Sequence, residues 1–153
     1  MVPMLRPLAA VAIMCLCTTS GRTQSPTDAL NGLFAGSVRF RIDDQDRVVI
    51  DFLDRGGRYR QDQAPLAHID PATIRFDPEQ DALLMGCRTG HERCFTKEVF
   101  GLSAIRSTSW IQLPRPPEDP AGAATAEALR ALLGWDAAAM EPRETPEVPQ
   151  RMK

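Results

Sequence analysis

Apolar residues in the first half of the chain fall on every second position. Over 37–43, Val38, Phe40 and Ile42 alternate with Arg39 and Arg41. Over 47–54, Val48, Ile50 and Phe52 keep the same step. A period of two marks a strand with one buried face. Asp43-Asp44-Gln45-Asp46 lies between the runs as a turn, so they predict an antiparallel hairpin with Ile42 opposite Val48. That register sets Arg39 opposite Asp51 on the outer face, a cross-strand charge pair of about 0.2–1 kcal/mol. Arg55-Gly56-Gly57 supplies the next turn. Residues 58–64 form a third strand, polar on one face and ended by Pro65. Residues 66–72 read as a crossing loop or one helical turn, and Ile74 and Phe76 mark a fourth strand over 73–77.

Residues 81–100 read as two more strands around a turn at Thr89-Gly90-His91-Glu92, which sets Cys87 opposite Cys94. A seventh strand is expected over 103–113, with Ile105, Ile111 and Leu113 on one face beside Ser107 and Ser109. After Pro114 the period changes: Ala126, Leu129, Leu132 and Leu133 recur at helical spacing. Asp119 and Pro120 stand as N-cap and first helical residue, and Gly134 as the stop. These signals predict a helix over about 120–133.

Short strands cannot bury their inner face alone, so the expected fold is mainly β with one C-terminal helix. The strands form an antiparallel meander of about seven, a curved sheet or partly open barrel that the amphipathic helix closes. This single domain covers 37–135. Strands followed by one closing helix resemble the pleckstrin-homology-like superfold over the same span. The resemblance rests on element order and implies the architecture alone.

The flanks differ in character. Residues 1–20 have the parts of a secretory signal: Arg6, an uncharged apolar run over 8–17, and the small residues Thr18 and Ser20 before Gly21. The run is too short to span a bilayer as a helix. Acylation at Cys17 is the alternative and would tether the protein to a membrane, although Met14 and Leu16 precede the two candidate cysteines, where small residues are wanted. Residues 21–36 read as a flexible lead-in, with 29–35 undecided between a helical turn and an edge segment. Residues 136–153, with Pro142, Pro146 and Pro149 between charges, read as a disordered tail.

The net charge of −2, with no basic segment, excludes the concentrated footprint of a nucleic-acid protein. Removing the signal leaves Cys87 and Cys94, an even count that suits a disulfide in an oxidising compartment. Free thiols, or a metal site completed by His91 and His68, are the other readings of that pair. Arg39, Arg41, Arg58 and Arg60 alternate on strands one and three, and form either an outward anion-binding patch or a salt-bridged ladder with Asp51, Asp54 and Asp62. No G-x-S-x-G, phosphate loop or calcium loop is present, so no catalytic residue and no cofactor is assigned. The pattern points to a secreted or periplasmic domain that binds a protein, peptide or envelope component without catalysis. A small hydrolase around His68 and Asp70, or a lipid-anchored protein with a structural role, are the alternatives.

Overall fold

The computed structural model describes residues 24–134. The expected signal over 1–20 and the tail over 136–153 lie outside the described residues. The fold is mainly β with one C-terminal helix. Its strands are β1 (Val38–Ile42), β2 (Arg47–Asp54), β3 (Gly57–Pro65), β4 (Ile69–Asp77), β5 (Ala82–Cys87), β6 (Phe95–Val99), β7 (Ala104–Thr108) and β8 (Trp110–Pro114). They divide into two antiparallel sheets instead of one meander or a closed barrel. The larger runs β1-β2-β3-β6-β7 and the smaller β4-β5-β8.

The first hairpin has the register that its alternation predicts, with Ile42 opposite Val48 and Arg39 opposite Asp51. Asp43 holds its turn by accepting from the N–H groups of Gln45 and Arg47, both at 3.0 Å, and from Arg47 Nε at 2.8 Å. Desolvation pushes the Asp43 carboxyl up. The hydrogen bonds from Arg47 and Gln45 and the Arg47 charge outweigh it and hold the group below its ordinary value. Val38, Phe40, Ile50 and Phe52 all face the core, with Leu83, Met85, Ile111 and Leu113 of the smaller sheet.

Beyond the division into two sheets, several expectations change. Residues 26–33, placed in the lead-in, form a helix, α1 (Pro26–Leu33). The Ser25 side chain accepts from the Asp28 N–H at 3.1 Å, and Pro26 occupies the first helical position. A serine-proline pair read as loose chain is therefore a cap and helix start. Leu30 and Phe34 enter the core from here. The second change concerns 81–100, which is not a hairpin. β5 pairs with β4 and β8, while β6 pairs with β3 and β7. Third, the single strand expected over 103–113 is cut at Ser109, with β7 in one sheet and β8 in the other.

The C-terminal helix, α2 (Ala123–Leu132), starts three residues later than the proline suggests. Gly122 stands at its cap with φ +69, and a Cβ there would come within 2.9 Å of the Phe76 ring. Only glycine meets both demands. Asp119 still caps the helix from outside, accepting from the Thr125 N–H at 2.7 Å and its hydroxyl at 2.8 Å. Gly134, at φ +67, ends it as expected. The α2 stripe buries Ala126 and Leu129 and packs on α1 and β4, so the helix pair closes the side of the sandwich where β1 and β4 lie.

Candidate functional site: the open edge of the larger sheet

The chain passes between the sheets three times, and all three passages meet at one corner. The first is a 3₁₀ turn (Leu66–His68) between β3 and β4, the second is 88–94 between β5 and β6, and the third is Ser109. Cys87 and Cys94 are joined by a disulfide at this corner, with Cα atoms 5.8 Å apart. The bond expected to staple a hairpin therefore ties one sheet to the other. Closing so short a loop stabilises by about 2–3 kcal/mol in the chain-entropy model. Hydrogen bonds cross-brace the corner: Arg88 N–H to His68 O at 2.8 Å, Arg88 Nε to Ile69 O at 2.9 Å, and Cys87 N–H to Ser109 O at 3.0 Å.

The other chemistry expected here is used structurally. His68 and His91 stack with ring centroids 3.9 Å apart, and the disulfide occupies both cysteine sulfurs. Among the described residues no group of three His, Cys, Asp or Glu side chains could hold a metal ion. Asp70 accepts from the Ala72 N–H at 3.0 Å, within its own turn. A disulfide of this kind belongs to an oxidising, extracellular-type compartment. No described helix is long and apolar enough to cross a membrane.

The four arginines do not share one face. Asp51, on the outer face of the larger sheet, is only 8 % exposed. Arg41 Nε lies 3.6 Å and Arg58 Nη1 3.3 Å from it, and Gln61 Nε2 donates to it at 2.6 Å. Arg39 stands opposite Asp51 in the register but makes no ion pair among the described residues. Arg60 turns inward. Phe52 pairs with Arg60 and Leu53 with Arg58, so Tyr59 is an extra residue in β3. That bulge sends two arginines, spaced for one face, to opposite faces. Arg60 then pairs with the fully buried Asp62 and sits 3.9 Å over the Phe52 ring. Asp54 joins no ladder; it accepts from the Gly56 N–H at 2.8 Å.

Two sheets have four edges, and a bare edge offers unpaired N–H and C=O groups to any passing strand. Three edges here are occupied. At β1, Asn31 of α1 takes the Phe40 N–H at 2.7 Å and donates to the Phe40 carbonyl at 3.2 Å. At β4, Arg130 of α2 donates to Ile74 O at 2.7 Å. At β8, Thr108 donates to Trp110 O at 2.9 Å, and Arg60 to Gln112 O at 3.4 Å. β7 is the exception. It pairs with β6 on one side, and no side chain among the described residues caps the backbone of 104–107 on the other.

The surroundings of β7 are unusual too. Ile105 is 67 % exposed on its outer face, and Leu102, in the 3₁₀ turn just before it (Phe100–Leu102), is 77 % exposed. The Arg60 bond to Gln112 places β8, the last strand of the smaller sheet, over β3. The larger sheet runs on past it for two strands. The inner face of this overhang holds a hollow of about 170 Å³ lined by Lys97, Val99, Leu102, Ala104 and Arg106. Lys97 lies across from Arg106, and neither makes an ion pair among the described residues. No motif in the sequence marks these residues as a site. Length is the signal the sequence does carry: 11 residues is long for a strand, and a break at Ser109 reverses which face Ile105 takes relative to Ile111. Comparison of the chain with family models, with curated proteins and with solved structures returns no match.

Proposed function

We propose that the chain is an exported, non-catalytic domain that binds a protein or peptide by taking one of its strands onto β7. The observation that carries this reading is the contrast among edges: side chains occupy β1, β4 and β8, and no side chain among the described residues caps β7, beside exposed Ile105 and Leu102. Strand addition draws affinity from backbone hydrogen bonds and specificity from alternate side chains, so an open edge beside a lined hollow suits it. Export rests on the signal-like sequence over 1–20 and on the disulfide, and the resemblance to the pleckstrin-homology-like superfold stays part of the proposal on element order alone.

A photo-crosslinking residue tests the site in the native host. Placed at Ser107, on the open edge, it should give a discrete adduct; placed at Arg39, on the capped edge, it should give none. Equal adducts from both positions, or none from Ser107, would overturn the reading.

A further inference from the structure

The hollow beside β7 constrains what the incoming strand carries. In an antiparallel ladder, residues directly opposite share a face. Besides Phe95 with Thr108, where the Phe95 ring lies in the core, the inner face of β6 and β7 presents two such pairs, Lys97 with Arg106 and Val99 with Ala104. The Lys97–Arg106 pair sets two cations across from one another, which destabilises it unless an anion lies between them. Elsewhere in the sheet most cations are answered: Asp43 takes Arg47, Asp51 takes Arg41 and Arg58, and Asp62 takes Arg60, while Arg39 stands exposed on the outer face without an ion pair among the described residues. Asp62 lies across from Lys97 in the register, yet Arg60 occupies its carboxylate. Lys97 and Arg106 are thus left facing an apolar hollow at the edge that no side chain among the described residues caps.

We infer that the strand taken up by β7 carries an acidic residue level with Arg106 and apolar residues at the next two positions, one beside Ile105 and one in the Val99–Leu102–Ala104 hollow. This rests on the strand addition proposed above. A second copy of the chain is a poor occupant. The antiparallel register that pairs all of β7 with another β7 sets Arg106 opposite Arg106, a like-charge contact. An acidic extended peptide meets both the charge and the backbone.

The probe is a symmetric peptide, Ser-Thr-Val-Val-Glu-Val-Val-Thr-Ser, whose order suits either strand direction. Two relatives carry Gln or Lys in place of Glu. Affinity for the full mature chain is read by fluorescence anisotropy, and the binding site by amide hydrogen exchange. The Glu peptide should bind about tenfold tighter than the Lys peptide, lose that margin at high salt, and slow exchange in β7. Arg106→Glu should reverse the order of the Glu and Lys peptides. Arg106 is exposed, and the ranking of the three peptides on the unaltered protein stands whether or not the variant folds. If all three bind equally and protect β7, the acidic preference is wrong and strand addition stands. If none protects β7 up to about 1 mM, both readings fail. Arg106-dependent binding to phosphatidylglycerol vesicles without peptide binding would overturn the inference in favour of a lipid surface. Dimerisation through β7 in sedimentation would overturn it in favour of a second copy.

Discussion

The two ends of the larger sheet receive opposite treatment. At β1 a helix lies alongside, and one asparagine holds both backbone groups of Phe40. At β7 nothing among the described residues lies alongside, and a large apolar residue points into solvent. Both edges belong to one sheet and both strands have five residues, so strand length does not explain the difference. What separates them is what each inner face rests on. Val38 and Phe40 sit on the shared core, whereas Val99 and Ala104 overhang it. An edge built over core needs a lid to stay monomeric, and an edge left over a hollow has room for a partner.

The sharpest way to break that comparison is to truncate one side chain at each end. Phe40→Ala should destabilise by about 3–5 kcal/mol, because a fully buried ring leaves a cavity. Ile105→Ala should change the unfolding free energy read from urea titration by less than about 0.5 kcal/mol, since Ile105 touches mostly water. Similar losses at both sites would mean that β7 is not a free edge. Next in size is the corner bond. Replacing Cys87 and Cys94 together by serine should cost about 2–3 kcal/mol, with faster amide exchange appearing in β6 and β7 before β1 and β2. Uniform exchange changes would show that the bond supports both ends equally.

Asn31→Ala should cost about 1–3 kcal/mol by leaving two backbone groups of Phe40 without their partner. It should also turn β1 into a second open edge, so sedimentation should show self-association that the parent lacks. The smallest effect is pH-dependent and belongs to the turn beside β1. The Asp43 carboxyl is lowered in the folded state, so its contribution is present above the unfolded value near 3.8 and fades as pH falls through the lower folded value. Asp43→Asn should remove that part of the acid slope in urea titrations. An unchanged slope would show that its hydrogen bonds do not favour the charged form.

The sequence made parts of this legible where a signal is local. Alternation and a short acidic turn set the β1–β2 register, and a helical stripe ending in glycine located most of α2. Neighbouring strands were harder, because closeness in sequence does not say which sheet each joins. The even cysteine count points to the Cys87–Cys94 bond, but that bond closes a passage between sheets and not a hairpin. Arg60 followed its spacing until the Tyr59 bulge changed its face. The edge caps were invisible in advance. Arg130 reaches Ile74 across 56 positions, and nothing local marks a guanidinium for that carbonyl.

Gathering every passage between the sheets at one corner leaves the opposite end with plain hairpin turns. The turns at 55–56, 78–81 and 100–103 each join neighbours within a single sheet. A foreign segment spliced into the first two lengthens one hairpin without altering how the layers stack, which suits them to epitope tags or reporter loops. The same insertion beside Ser109 would pull two layers out of alignment at once, so the molecule has a spine that resists editing and a fore-edge that accepts it.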